Sequence, residues 1–220
     1  MHLKSLILYC LRLRVCGYPT AWCLLRLGFV SASKRVSTLC RYVPRRVLFT
    51  LPSEFAVPRL CIQSTRGRDL VARVVWWRRW DAYEKPMGEL FSALAARARH
   101  VFDIGAYSGF FSLLSAAASK SVQVHAFEPY PVVREALLAN IHLNRLSDRI
   151  TVCPNALSGS EHKAEFFIPS KKTNILETAS SLCEGHWSSH SDIIEVNTTT
   201  IDHYVALTDG IGVDLMNMRC

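Results

Sequence analysis

Asp103, Gly105, Gly109 and Glu128 are the residues whose types and spacing could do chemistry together. The segment Val101-Phe102-Asp103-Ile104-Gly105-Ala106-Tyr107-Ser108-Gly109-Phe110-Phe111 reads as an apolar strand ending in a carboxylate, a Gly-x-x-x-Gly turn and a helix start. Glycine has no Cβ, so such a turn lets a ligand approach the backbone closely, and a helix start offers it N–H groups. Glu128 follows 19 residues after Gly109, at the end of the next apolar run. There its two oxygens can accept from the vicinal hydroxyls of a ribose. A glycine turn alone is equally well a plain tight connection. Joined to Glu128, it points to a nucleoside-containing ligand.

A dinucleotide fingerprint requires G-x-G-x-x-G, whose middle glycine makes room for pyrophosphate, but here Ala106-Tyr107-Ser108 fill the turn. An NAD-dependent oxidoreductase therefore stands as the less favoured reading, kept because it shares the strand, the turn and the ribose carboxylate.

The elements that position these residues follow from periodicity. Met87, Leu90, Phe91, Leu94, Ala95 and Ala98 fall on one helical stripe. Strands are expected at 101–104, 122–127 and 150–153, separated by helices at 110–119 and 131–144, the latter opened by Pro131. Strands alternating with helices indicate βαβ units, hence an α/β fold with a parallel sheet. Residues 164–168 and 192–200 read as strands around a polar stretch, an inserted hairpin or flap. A short helix at 201–207 and a core strand at 211–216 follow. Before all these, Val47-Leu48-Phe49, Phe55-Ala56-Val57, Leu60-Cys61-Ile62 and 71–77 read as short leading strands split by Pro52, Pro58 and Gly67. Residues 1–46 form a basic segment without firm pattern.

The 220 residues are 50% hydrophobic and 20% charged, which excludes a disordered or low-complexity chain. Residues 1–80 carry 15 lysines and arginines against Glu54 and Asp69, whereas residues 81–220 carry 11 against 16 carboxylates. The basic portion could meet a membrane surface, nucleic acid or an anionic substrate, although such charge is more often a solvated edge. Lacking zinc spacing or an RNA-binding signature, it is not expected to bind nucleic acid. The longest uncharged stretch near the start, 15–25, is far short of the ~20 apolar residues of a membrane span, and the N-terminal pattern reads as an uncleaved segment. The eight cysteines form no C-x-x-C pair, which suits free thiols in a reducing cytoplasm.

Cys183, His186 and His190 have spacings zinc could use but supply only three ligands in a polar stretch, so no metal is expected. His125 could serve as a general base, but a packing role is favoured because nothing in the sequence orients it. Trp76, Trp77 and Trp80 beside Arg78-Arg79 could form a stacking or lipid-facing surface, but read more simply as core aromatics of a strand.

The D-x-G-x-x-x-G turn and the acidic residue ending the next strand resemble class I S-adenosylmethionine-dependent methyltransferases. The finer resemblance is to the FkbM-type family, carried by Tyr83-Glu84, Val101 to Ala106, Phe127-Glu128-Pro129, Leu138-Ala139-Asn140 through Leu143-Asn144, Asn155-Ala156-Leu157-Ser158, Ala179-Ser180-Ser181-Leu182 and Thr200-Ile201-Asp202. It implies a Rossmann-like domain over 47–220 and methyl transfer from S-adenosylmethionine to a hydroxyl oxygen of a sugar or natural product, a small-molecule acceptor. It further implies that Asp103, Gly105, Ala106, Tyr107, Gly109 and Phe110 cradle the methionine part. Glu128 and Pro129 would lie at the ribose, Asn155 and Ala156 at the adenine, and Glu84 near the cofactor. Members of that family continue the strand at 213–216 into Lys-Ile-Asp-Val-Glu-Gly. Here the chain runs Asn217-Met218-Arg219-Cys220, so the resemblance implies an incomplete sheet with strands one to four and, as the alternative to an active enzyme, an inactive remnant.

Overall fold

A computed structural model describes residues 43–169, 182 and 191–218. β1 (Arg46–Thr50) and β2 (Arg59–Gln63) form an antiparallel hairpin, followed by α1 (Leu70–Arg78), a 3-10 turn (Trp80–Ala82) and α2 (Met87–Ala95). The alternating β/α pattern then runs β3 (His100–Ile104), α3 (Phe110–Ala118), β4 (Gln123–Phe127), α4 (Pro131–Leu143) and β5 (Ile150–Cys153). After β6 (Ala156–Leu157) come β7 (Lys163–Pro169), β8 (Ser191–Thr199), α5 (Ile201–Leu207) and β9 (Leu215–Met218).

The central sheet has the order β5-β4-β3-β9, and all its pairs are parallel. Parallel strands need both faces covered, and both are. On one face α3 is buried along its whole length and meets α2 through the edge-on Phe91 and Phe111 rings, 5.2 Å apart. α4 covers the same face with Val133, Leu137 and Ile141, the stack expected from their spacing. On the other face Tyr204 of α5 packs on Phe102 and Phe127, at ring separations of 5.6 and 4.8 Å. α5 starts where its pattern predicts because the Thr200 hydroxyl accepts the His203 N–H. The expected inserted hairpin is β7 against β8, in register from Lys163 opposite Asn197 to Pro169 opposite Ser191. The polar stretch between these strands lies outside the described residues, apart from Leu182, and so do the basic residues 1–42.

Four expectations are corrected. Residues 71–77 are not a strand but the body of α1. The β-branched run has strand propensity, but Asp69 caps a helix by accepting the Ala72 N–H at 2.7 Å, and Val71, Ala72 and Val75 are buried together. The Trp76, Trp77 and Trp80 grouping is accordingly helical, and only Trp80 among them is fully in the core. Phe55-Ala56-Val57 belongs to the loop between β1 and β2, closed by the Leu51 N–H on the Pro58 carbonyl. The α2 stripe is split: Phe91, Ala95 and Ala98 are buried, whereas Met87, Leu90 and Leu94 are 44–53% exposed. The small Gly88 turns the buried face instead toward Trp80, Phe110 and Leu114. The last strand begins later than expected, at Leu215, because Asp214 accepts the N–H groups of Arg99 and His100 and so fixes where β9 joins β3.

The leading hairpin is held by two side chains one turn apart on α4. Asn140 Oδ1 accepts the Gln63 N–H at 2.8 Å, and Asn144 both accepts from and donates to the backbone of Cys61. Alternate residues of a strand and positions i, i+4 of a helix advance by similar distances, so the two amides act as one more strand edge for β2. Asn140 also donates to the Ser108 carbonyl, joining the hairpin to the turn between β3 and α3.

Asn140→Ala leaves the part-buried Gln63 N–H and the buried Ser108 carbonyl without this partner and is expected to cost about 2–4 kcal/mol in a urea titration. Asn144→Ala, at a half-buried position, is expected to cost less, and the reverse ranking would contradict this docking. Gly109 has φ +90°, and a Cβ there would meet Leu137 Cδ1 at 2.5 Å, so Gly109→Ala should lose about 1–3 kcal/mol. Gly159→Ala, with nothing within 4 Å, is the control expected to be neutral.

Candidate functional site

The site lies at the carboxyl ends of the parallel strands, where α/β sheets open a crevice. Ile104 pairs with Phe127, and Phe127 with Cys153, so Asp103, Glu128 and Asn155 leave neighbouring strand ends. Between them the Gly105–Gly109 turn winds with φ of 72° at Gly105, 53° at Tyr107 and 90° at Gly109. The glycines adopt left-handed backbone freely, whereas Tyr107 is held there by its contacts.

Those contacts are specific. The N–H groups of Gly105 and Ala106 both donate to the Phe127 carbonyl, at 2.9 and 3.0 Å, and the Tyr107 N–H donates to Glu128 Oε2 at 2.9 Å. The Tyr107 ring is buried, and its hydroxyl accepts the Leu70 N–H at the start of α1 at 3.4 Å. Part of the backbone expected to face a ligand is thus spent on the end of β4. What the turn still offers is a surface without a Cβ at half-buried Gly105, whereas the space beside Gly109 is taken by Leu137 of α4.

Glu128 is 6% exposed, and its other oxygen accepts the Tyr130 N–H at 3.0 Å. Each carboxylate oxygen therefore keeps one lone-pair position while its orientation is fixed. Arg134 of α4 donates to the carbonyls of Glu128 and Pro129 and clamps the strand end. Burial pushes the Glu128 carboxyl up to about 7, against the pull of the Tyr130 and Tyr107 N–H groups. Between the ordinary value of 4.5 and about 7 the folded chain keeps a proton that the unfolded chain has released. Glu128 therefore lowers stability as pH rises through that window.

Asp103 is 1% exposed and held through both oxygens: Ser112 Oγ donates to Oδ2 at 2.5 Å and Asn217 Nδ2 to Oδ1 at 2.8 Å. Asn217 stands where the family resemblance expects a lysine, and it ties β9 to the motif carboxylate. Phe110 follows the turn, but its ring is in the core, edge-on to Tyr83 at 5.1 Å. That contact brings Tyr83-Glu84 to the start of α3, with Glu84 exposed at φ 50°. Pro129 is buried, Asn155 half-buried in the bend after β5, and Ala156 is in β6, its side chain packed beside Phe166 and Val196.

Sequence reasoning left four supporting residues without a role: Ser112, Arg134, Asn140 and Asn217. Asn140 belongs to a quoted motif, but nothing in the sequence says that it reaches β2 and Ser108. His125 lies on the α5 face of the sheet, with Nδ1 3.0 Å from the Tyr204 hydroxyl and Nε2 3.3 Å from His100. Burial, aided by His100, pushes it down to about 4, so it is neutral at physiological pH and built into the packing. Among the described residues there is no cluster of three or more metal-ligating side chains, and the Cys183, His186, His190 spacing falls outside them. Among the described residues no helix is long and apolar enough to cross a membrane.

The sequence profile of the Methyltransferase FkbM domain matches residues 103–218, from the motif carboxylate to the end of β9. The 31-O-demethyl-FK506 methyltransferase FkbM of Streptomyces tacrolimicus is 45% identical over 53 residues, which are 24% of this chain and 20% of that enzyme. The match thus spans about a fifth of the curated relative's length. Among solved structures, an O-methyltransferase from Bacillus cereus in complex with SAH aligns at 23% identity over 32% of this chain and 33% of that one, with a TM-score of 0.30. An O-methyltransferase family protein from Burkholderia thailandensis aligns at 24% identity over 40% and 26%, with a TM-score of 0.31. With a profile match covering more than half its length and a parallel α/β sheet that ends in that motif, the chain belongs to the FkbM methyltransferase domain family.

Proposed function

We propose that this chain binds S-adenosylmethionine at the ends of β3, β4 and β5 and transfers its methyl group to a hydroxyl oxygen of a sugar-like or natural-product acceptor. The observation that carries the reading is Glu128, buried at a strand end and pinned through both oxygens by the Tyr107 and Tyr130 N–H groups. A carboxylate so oriented, with one acceptor position left on each oxygen, suits a vicinal diol. When bound, S-adenosylmethionine supplies an electrophilic sulfonium methyl for transfer to the acceptor oxygen.

The residues of this chain contribute placement. Glu128 holds the ribose, the Gly105–Gly109 turn admits the ligand close to the backbone, and Asp103, locked by Ser112 and Asn217, keeps the turn at its height above the sheet. Such positioning can account for much of the rate of a methyl transfer, since it removes the entropy of bringing two reactants together. Tyr83-Glu84 and Asn155 flank the same crevice as candidate cofactor contacts. We place the protein in the cytoplasm on its unpatterned cysteines, of which Cys61 and Cys153 are free thiols.

A second reading, a chain that binds the cofactor without transferring its methyl group, is favoured by one observation. His125, three residues before Glu128, is a poor base because burial holds its imidazole down at about 4 and its two ring nitrogens face the Tyr204 hydroxyl and His100 on the α5 side of the sheet. Calorimetric titration with S-adenosylhomocysteine tests the binding common to both readings, and methyl transfer to a panel of hydroxylated acceptors separates them.

Glu128→Ala is expected to weaken S-adenosylhomocysteine binding by about 30-fold or more, the loss of two charge-assisted hydrogen bonds. Unchanged affinity, or tighter binding of NAD than of S-adenosylhomocysteine, would refute the assignment. In the unmodified chain affinity should rise about tenfold per pH unit up to about 7 and level off above it, because the ionised carboxylate is the stronger acceptor. Glu128→Gln should bind weakly with a flat profile across the same range.

A further inference from the structure

At the Arg46–Gln63 end of the leading hairpin, Arg45, Arg46, Arg66 and Arg68 surround an open groove of about 820 Å³, with Gln63 and Thr65 completing its wall. Among the described residues none of these four guanidinium groups makes a salt bridge, and no carboxylate lines the groove. Like charges gathered without counter-charge repel one another, and the arrangement favours an anion that relieves the repulsion.

The convergence is built, not incidental. Thr65, Arg66 and Gly67 are three successive residues with positive φ, 49°, 60° and 76°. For β-branched Thr65 this is an outlier that persists only where surrounding contacts impose it. Those contacts lie beneath the turn. Buried Arg73 donates through Nε to the Gly67 carbonyl at 2.6 Å, Ser64 Oγ accepts the Gly67 N–H, and the Ser64 N–H donates to the Arg45 carbonyl. Arg46 faces Gln63 in the hairpin register. One turn braced from inside thus presents Arg66 and Arg68, exposed, toward Arg45 and Arg46.

The geometry points to a binding site for a diphosphate-bearing small molecule. A volume of about 820 Å³ falls within the usual range of small-molecule sites and exceeds the needs of one phosphate. Planar guanidinium groups bind phosphoryl oxygens in pairs, so four of them match two linked phosphoryl groups better than one. Among the described residues no aromatic side chain lines the groove to give the stacking platform of a single-stranded nucleic-acid site. The inference does not depend on the methyl-transfer reading, although Gln63 of the groove and Ser108 of the cofactor turn share Asn140 as a common partner.

The test titrates the full chain with inorganic pyrophosphate and with orthophosphate at matched ionic strength. It repeats both for Arg66→Gln/Arg68→Gln and Arg66→Lys/Arg68→Lys, with thermal melting and S-adenosylhomocysteine binding as checks that the variants fold. The expected result is pyrophosphate bound about tenfold or more tightly than orthophosphate, weakened about tenfold or more by the glutamine pair and less by the lysine pair. S-adenosylhomocysteine binding should be retained in both variants, which keeps this outcome distinct from that of the cofactor site. Vesicles carrying a diphosphate-headed lipid identify the source: competition by soluble pyrophosphate supports a shared diphosphate site. Equal binding of the two anions, indifference to the glutamine pair, binding to any anionic vesicle alike, or displacement of pyrophosphate by an RNA oligonucleotide at far lower concentration would each overturn the proposal.

Discussion

Three consecutive N–H groups, those of Gly105, Ala106 and Tyr107, close onto the end of β4, two on the Phe127 carbonyl and one on the Glu128 carboxylate. Buried backbone donors must find partners, and this solution sets the path of the turn, the left-handed conformation of Tyr107 and the height at which α3 begins. It also explains why the acidic residue is buried. Glu128 completes the turn as well as facing a ligand, so part of the cost of burying its charge is offset by hydrogen bonds that the turn requires.

The surrounding structure reads as support for that junction. Asp103 at the end of β3 is held from α3 by Ser112 and from β9 by Asn217, so the sheet's outer strand is linked to the motif by a side chain as well as by its ladder. Arg134 and Asn140 of α4 secure the strand end and the turn from the other side. Through Asn140 and Asn144 the leading hairpin joins the same assembly, although it belongs to a separate two-stranded sheet. Polar side chains with two bonding functions do this work because they can satisfy two backbone segments at once in the interior.

The two faces of the sheet divide the labour. Toward α2, α3 and α4 the packing is aliphatic and aromatic and fixes the height of the turn, with Gly88 and Gly109 allowing close approach. Toward α5 a smaller group around Phe102 and Phe127 takes in His125, whose imidazole is satisfied by Tyr204 and kept neutral. A histidine next to an acidic motif invites a catalytic reading. Its strand position, two residues before Phe127, turns it instead to the same face as Phe127, away from the turn.

From the sequence alone came the alternation of strands and helices from 101 to 153, the hairpin pairing 164–168 with 192–200, and the glycine turn with its distant glutamate. Each rests on local rules: period 2 or 3.6, glycine conformational freedom, or Pro131 at a helix start. Tertiary structure decided what local rules weigh wrongly or do not weigh. Val71 to Trp77 has strand propensity, but the Asp69 cap and the burial of Val71, Ala72 and Val75 make it α1. The apolar stripe of α2 marks a helix correctly, yet which row is buried depended on Gly88 meeting α3 and Trp80. The partners of Asp103, the bridging by Asn140 and the gathering of Arg45, Arg46, Arg66 and Arg68 join residues distant in sequence or set by an unusual turn. Propensity and periodicity carry no information about such meetings, because they are fixed only when separate elements settle against one another.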